Sequence, residues 1–285
     1  MRLVTYETAA GPAPGVLVDK VIVDCASLEV PAESVRGLLG ALDAEDLSEL
    51  GKRADAAKAS GVPRADVMLH APVLDPEKII CLGLNYRDHA EEAGLEIPEN
   101  PRWFAKFANS LVGDGDDVVL PAAHPARADY EAELAVVIGR TASRVSEAEA
   151  LDYVAGAMPF NDVSARDLQM QSPLWVAGKA VDTFAPCGPA LVTLDEAGDV
   201  DALGLRTRIN GEVVQQGNTS EMIFNVSQLI AWLSRTITLV PGDIIATGTP
   251  AGVGAVRRSY LQPGDEMQVE IDGLGAVTNR VVLEQ

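Results

Sequence analysis

Two glutamates one residue apart, in Asp129-Tyr130-Glu131-Ala132-Glu133-Leu134-Ala135-Val136-Val137-Ile138-Gly139, are the first side chains here that could do chemistry. Alternate residues of a strand share a face, so Glu131 and Glu133 stand together and are followed by Ala135 and Val137. Ala132, Leu134, Val136 and Ile138 take the other face, and both faces are apolar enough to be buried. Like charges held side by side away from water are costly unless a cation neutralises them. Asp162, after the apolar run 154–160, can add a third carboxylate from a neighbouring element. Such a set, without histidine or cysteine, is a hard oxygen site suited to Mg2+, or to Mn2+ or Ca2+, rather than to zinc. A solvated strand end with two surface glutamates fits the same pattern.

His89 lies in Leu84-Asn85-Tyr86-Arg87-Asp88-His89-Ala90-Glu91-Glu92, just past a strand-like run. On a helical turn His89 and Glu92 share a face. A carboxylate there orients the imidazole and stabilises its protonated form, which suits His89 to act as a general base toward water. A surface histidine among helix-pairing acids has the same signature. His70 and His124 lack such a setting and read as structural or surface residues. Lysines are few, and two of them, Lys106 and Lys179, sit in apolar windows. Each is either an amine snorkelling from a strand or a local positive charge for an anionic substrate. The stretch Thr247-Gly248-Thr249-Pro250-Ala251-Gly252-Val253-Gly254 can present backbone N–H groups to an anion. It lacks the ending of a P-loop and the spacing of a dinucleotide fingerprint, and so gives no support for a nucleotide.

A strand-rich frame must position these groups. Short β-branched runs bounded by turn residues mark strands at 78–82, 117–120, 131–138, 205–209, 212–214, 243–247 and 266–271. Asn210-Gly211 signals a hairpin between two of them. Ser146 with Glu149 reads as a capping box opening a helix through Val154. Asn225 caps a second helix, with Val226, Leu229, Ile230 and Leu233 on one face. Many strands and few helices argue for a mixed α+β fold rather than a doubly wound sheet. Residues 1–70 differ: strand-like runs at 2–6 and 16–23 precede an alanine-, leucine- and glutamate-rich helical stretch, then Pro63, Pro72 and Pro76. They are expected to form a small N-terminal α+β accessory domain, with a catalytic domain over 71–285.

The bulk composition narrows the function classes. With 285 residues, 47% of them hydrophobic, a large core is available. The net charge of −20 repels nucleic acid and anionic membranes, so neither is an expected partner. No apolar run reaches membrane-spanning length and residues 1–10 lack a signal-peptide core, which together point to a cytoplasmic protein. Cys25, Cys81 and Cys187 match no zinc spacing or disulfide framework and read as reduced core thiols.

Six stretches in order, residues 79–92 (IICLGLNYRDHAEE), 129–139 (DYEAELAVVIG), 161–169 (NDVSARDLQ), 178–189 (GKAVDTFAPCGP), 210–224 (NGEVVQQGNTSEMIF) and 241–254 (PGDIIATGTPAGVG), resemble the fumarylacetoacetate hydrolase superfamily. The likeness is strongest to its domain-containing proteins and to bacterial diketo-sugar-acid hydrolases, and it covers roughly residues 72–285. It implies a strand-rich β-roll that holds a divalent metal through Glu131, Glu133 and Asp162, a lid dyad of His89 and Glu92, and a catalytic Lys179. It also implies substrate-side positions at Gln169, Thr249 and Gly248, with Lys106 in a further resembling block, and a homodimer.

The expected substrate is a small anionic 2-oxo acid, and the first expectation is C–C hydrolysis of a 2,4-dioxo acid of the acylpyruvate type. His89, oriented by Glu92, would activate water, and Lys179 with Gln169 would stabilise the oxyanion. The same metal-stabilised enolate would serve oxaloacetate decarboxylation or tautomerisation, and isomerisation or hydration of unsaturated 2-oxo diacids. A non-catalytic metal- or ligand-binding protein is a further reading, against which His89, Glu92 and Lys179 argue.

Overall fold

The computed structural model of the chain describes residues 1–30, 32–123 and 127–284, so His124 lies outside the described residues. Its frame is an 11-stranded mixed sheet. The order across it is Val62–Pro63, Val21–Asp24, Gly11–Val18, Arg2–Thr8, Leu191–Thr193, Val154–Asn161, Ala132–Ile138, Ile244–Ala246, Ile79–Gly83 and Arg102–Lys106, with Leu69–His70 beside Arg2–Thr8. A 5-stranded sheet follows the order Glu212–Asn218, Gly204–Ile209, Glu266–Ile271, Gly275–Leu283 and Asp117–Leu120. The strand-rich α+β expectation holds, as large mixed sheets rather than a closed barrel.

Ala132–Ile138 lies in the middle of the large sheet and is buried along its whole length. It runs antiparallel to both Val154–Asn161 and Ile244–Ala246. The alternation read from the sequence sorts its side chains into two separate cores. Ala135 and Val137 pack in one, and Ala132, Leu134, Val136 and Ile138 in the other. A fully buried branched side chain of this size stabilises by about 1.5–3 kcal/mol relative to exposure. Two-sided burial leaves the strand no freedom to slip by one residue, because a slip would exchange its two faces. That register fixes Glu133.

The amino-terminal strand Arg2–Thr8 pairs with Leu191–Thr193 (Arg2 opposite Val192) and so extends the same sheet. Helices Val35–Ala41 and Ala44–Ala57 place Leu38, Leu39, Leu47 and Leu50 in the core that also holds Ala135 and Val137. Asp43 and Asp46 cap the second of these helices reciprocally.

Local chemistry explains where elements begin and end. Asn210 and Gly211 both have positive φ, 51° and 84°, as a two-residue hairpin turn requires. Asn225 and Gln228 form a capping box opening Val226–Ser234, whose Val226, Leu229, Ile230 and Leu233 are buried. The run 16–23 is two strands, split by a turn in which Asp19 has φ 55°. The helix expected from Ser146 is instead a 3-10 helix, Glu147–Tyr153. Ser146 donates its hydroxyl to the Glu149 side chain at 2.6 Å, so neither group caps the backbone there.

Candidate active site

Glu131 sits one residue outside the central strand and is pinned from both sides. Its N–H donates to Asn161 Oδ1 at 3.0 Å, and its carbonyl accepts from the Asp162 N–H at 3.0 Å. The second contact brings Asp162, at the end of the adjacent strand Val154–Asn161, against it. Glu133 stands opposite Phe160 in the ladder and is fully buried. One oxygen from each of Glu131, Glu133 and Asp162 lies within 4.8 Å of the other two.

Three cations surround this cluster. Lys179 donates to Glu131 Oε2 at 2.8 Å and to Asp162 Oδ2 at 2.5 Å. Lys106 donates to Asp162 Oδ1 at 2.7 Å and to the Val163 carbonyl at 3.0 Å. Arg166 reaches Glu131 Oε1 at 2.6 Å and Asp129 Oδ2 at 2.8 Å, and donates to Gln169 Oε1 at 2.9 Å. Four carboxylates, counting Asp129, therefore face three cations. Among the described residues Glu133 is the one without a cation: Oε2 accepts the Gly248 N–H at 2.9 Å, and buried Oε1 has no hydrogen-bond partner.

The proton affinities follow that count. Burial, with the charges of Asp162 and Glu131, pushes the Glu133 carboxyl well above the ordinary glutamate value. Burial also works to raise Glu131, but Lys179 and Arg166 overcome it and hold that carboxyl well below the usual range. For Lys179 burial opposes the charge, Asp162 and Glu131 outweigh it, and the ammonium is held above its ordinary value. An all-oxygen triad with one orphaned, buried carboxylate oxygen fits a hard divalent cation.

His89 and Glu92 lie on the helix Arg87–Ala93. Nδ1 of His89 is 3.7 Å from Glu92 Oε2, which is ion-pair distance but too long for a hydrogen bond, and among the described residues it has no hydrogen-bond partner. Glu92 Oε2 accepts the Gly252 N–H at 2.9 Å, and Asp88 Oδ2 accepts the Ala251 N–H at 3.2 Å. The glycine-rich stretch presents its N–H groups to this chain's own carboxylates: Gly248 to Glu133, Gly252 to Glu92, Gly254 to Asp129. Gly248 has φ +98°, and a Cβ there would meet the Asn85 Cβ at 2.8 Å. That position requires glycine.

Gln169 and Thr249 are both buried near this cluster. Thr249 Oγ1 accepts from Gln215 Nε2 at 2.9 Å. Gln215 escaped notice in the sequence, although it ties three elements together: its Oε1 accepts the Ala132 N–H at 3.0 Å and the Thr207 hydroxyl at 2.8 Å, and its Nε2 also donates to the Pro250 carbonyl. Asn85 was missed likewise; its amide bonds Thr247 and both backbone groups of Phe224. Asp129 and Arg166 were missed as site residues too. All four lie within the stretches that carry the family resemblance, which was the signal available for them.

A model of the fumarylacetoacetate (FAA) hydrolase C-terminal domain matches residues 78–282. The chain belongs to the fumarylacetoacetate hydrolase family. Among its relatives in that family are the rat protein "Oxaloacetate tautomerase Fahd2a, mitochondrial", 46% identical over 84% of this chain and 77% of its own length, and its human counterpart, 47% identical over 82% and 75%. Among solved structures, an HpcE protein from Mycobacterium smegmatis superposes with a TM-score of 0.86 at 38% identity, with full coverage of both chains. Maleylpyruvate hydrolase from Sphingobium in complex with manganese(II) ion and pyruvate does so with a TM-score of 0.83 at 32% identity, again with full coverage. The family therefore includes tautomerases and hydrolases, and a member that binds a divalent metal. The cytoplasmic expectation does not stand, because the rat and human relatives are mitochondrial proteins. The lack of a membrane-length apolar run and of a secretory signal core is shared by proteins of several aqueous compartments, so the features behind that expectation could not decide it. Among the described residues, no helix is long and apolar enough to cross a membrane.

Proposed function

We propose that the protein is a divalent-metal-dependent tautomerase that interconverts the keto and enol forms of oxaloacetate. One observation carries the enolate chemistry: three buried carboxylates converge, Lys179 bridges two of them, and the third keeps an oxygen without a partner. The choice of tautomerisation among enolate reactions is supported by the relatives, whose printed names are those of oxaloacetate tautomerases. Glu131, Glu133 and Asp162 would hold the metal, with magnesium the first ion to test. When bound, a divalent cation supplies Lewis-acid polarisation of the 2-oxo group and stabilises negative charge on its oxygen.

The chain's own residues manage charge and protons. Four carboxylates against three cations leave Glu133 unbalanced, so with a divalent ion bound the centre would carry a single excess of positive charge. An anionic 2-oxo acid is thereby attracted into a protein of net charge −20. His89 takes the proton from C3 of the substrate on Nε2 and returns it in the reverse direction, leaving Nδ1 to face Glu92. Glu92 steadies the resulting imidazolium once the 3.7 Å gap closes to hydrogen-bond distance. Lys179 stays protonated and donates toward the oxygen at C2, where charge develops as C3 loses its proton. Gly248 and Thr249 fix the loop beside Glu133, and Gln169 is held facing the site by Arg166.

C–C hydrolysis of an acylpyruvate, the first expectation from the sequence, has the weaker support. The relatives that carry the name of oxaloacetate tautomerases are 46% and 47% identical to this chain, and the maleylpyruvate hydrolase is 32% identical. The deciding experiment follows the ultraviolet absorbance of enol-oxaloacetate with magnesium and with EDTA, beside an assay of pyruvate release from acetylpyruvate. Magnesium-dependent ketonisation faster than the buffer reaction supports the proposal. Pyruvate release from acetylpyruvate that outpaces ketonisation would replace it with hydrolysis.

A further inference from the structure

Asp129 is fully buried beside the carboxylate triad, and N–H groups converge on both of its oxygens. Oδ1 accepts the Tyr130 N–H at 2.8 Å and the Gly254 N–H at 2.6 Å, and Oδ2 accepts the Ala255 N–H at 2.9 Å. Oδ2 also takes Nε and Nη2 of Arg166, both at 2.8 Å. A carboxylate accepts at both oxygens and donates from neither, whereas an asparagine would turn its NH2 against one set of these donors. The loop side of this anchor is tight, since a Cβ on Gly254 would lie 2.5 Å from Asp129 Oδ1.

Arg166 passes the anchoring on. Its Nη2 also reaches Glu131 Oε1 at 2.6 Å, and its Nη1 donates to Gln169 Oε1 at 2.9 Å. The guanidinium is planar and rigid, so fixing Nε and Nη2 on Asp129 fixes where Nη1 points. Packing sets Gln169 at the centre as well: a Cβ on Gly178, the neighbour of Lys179, would lie 2.5 Å from the Gln169 backbone N. Gln169 Nε2 makes no hydrogen bond among the described residues and is not sealed from solvent, the residue being 7% exposed. Because Arg166 takes the carboxamide oxygen, the end left for a ligand is the NH2 donor.

We infer that Asp129 is a positioning residue. It holds Arg166 so that Gln169 presents its NH2, and not its oxygen, to the substrate oxygen at C2 on which charge develops. This rests on the enolate reading above. Without Asp129 the guanidinium is free to turn onto Glu131 alone, and the carboxamide of Gln169 is free to rotate. A carboxamide oxygen facing the developing charge would repel it, and the NH2 stabilises it.

The test is a double-mutant cycle between Asp129→Asn and Gln169→Met, at saturating magnesium, on the rate of enol-oxaloacetate ketonisation. Asp129→Asn should lower kcat and kcat/KM together by about 10–100-fold, with KM little changed. In Gln169→Met the donor is already gone, so adding Asp129→Asn should cost less than about twofold more. Arg166→Lys keeps the charge but not the fork, and should show the same dependence on Gln169, which covers an Asp129→Asn chain that does not fold. Calorimetry of oxalate, an enolate mimic, in the presence of magnesium reads the same cycle without turnover. A wild-type protein that binds oxalate but does not ketonise oxaloacetate removes the tautomerase reading and leaves the oxalate cycle to decide on Asp129. Losses of equal factor with and without Gln169, as a purely structural role for Asp129 would give, overturn the inference. Failure of the wild type to bind oxalate overturns it together with the metal-centred reading.

Discussion

At the scale of single residues, the balance of buried charge sets what each substitution should do. Glu133 is the carboxylate without a cation, so Glu133→Gln removes a repulsive charge while leaving an acceptor for the Gly248 N–H. Metal-free protein should be as stable as wild type or more so, while the rise in melting temperature on adding magnesium disappears. Activity should fall by more than about 100-fold, beyond what loss of an outer-shell partner causes. A variant that still responds to magnesium would remove Glu133 from the metal site. Lys179→Met does the reverse, stripping the shared donor from Glu131 and Asp162. Denaturant unfolding in EDTA should show a loss of about 3–5 kcal/mol, partly regained with magnesium. Equal losses in both conditions would show that the metal does not neutralise the same carboxylates.

The thiols give a prediction in pH. Burial pushes Cys187 up to about 12, and burial with Asp24 does the same for Cys25. Unfolded thiols ionise near about 8.5, so the unfolded chain gives up protons that the folded chain retains. This contribution to stability is full below that value and is lost as pH rises toward about 12. At pH 8 the native protein should leave all three thiols unreactive to a thiol reagent, and denaturant should release all three. A fast-reacting thiol in the native protein would contradict the burial of Cys25, Cys81 and Cys187.

At the scale of elements, the loop 247–254 is the part most sensitive to small changes. Its amides bond carboxylates from the central strand, from the helix Arg87–Ala93 and from Asp129. Gly248→Ala imposes a strained φ and a clash with Asn85, costing about 1–3 kcal/mol. The loop then shifts off Glu133. Activity should fall further than stability, and a variant with wild-type turnover would show that the loop does not position the centre. The element boundaries that the sequence misplaced share a cause. Ser146 could cap a helix, yet its hydroxyl found the Glu149 side chain instead. Similarly, Asp19 breaks the run 16–23 because it adopts a left-handed turn, which β-propensity does not reveal.

At the scale of the whole molecule, metal binding should couple to global stability. A ligand present at 100 times its dissociation constant and bound only by the folded state adds about 2.7 kcal/mol. EDTA should therefore lower the melting temperature, and magnesium or manganese should restore it, while substrate remains absent. The amino-terminal segment shares the large sheet and a core with the central strand. Damage to its packing, for example Leu38→Ala, should then destabilise the chain as a whole by about 2–5 kcal/mol, read as one cooperative transition. Two separate transitions would show that the shared sheet does not couple the parts.

Much of this centre was legible in the residues alone. The two-residue period fixed which side chains accompany Glu131 and Glu133, since a strand buried on both faces admits one register. The chemistry of three carboxylates without sulfur or imidazole selected a hard cation, and the hairpin at Asn210-Gly211 and the cap at Asn225 follow from local backbone preferences. What local pattern cannot express is which distant groups meet. That Lys106 and Lys179 share Asp162, that Gln215 joins the central strand to Thr249, and that Glu133 alone lacks a cation depend on contacts between residues 17–115 apart in the chain. Long-range packing sets those distances, and they decide which carboxylate keeps an oxygen without a partner.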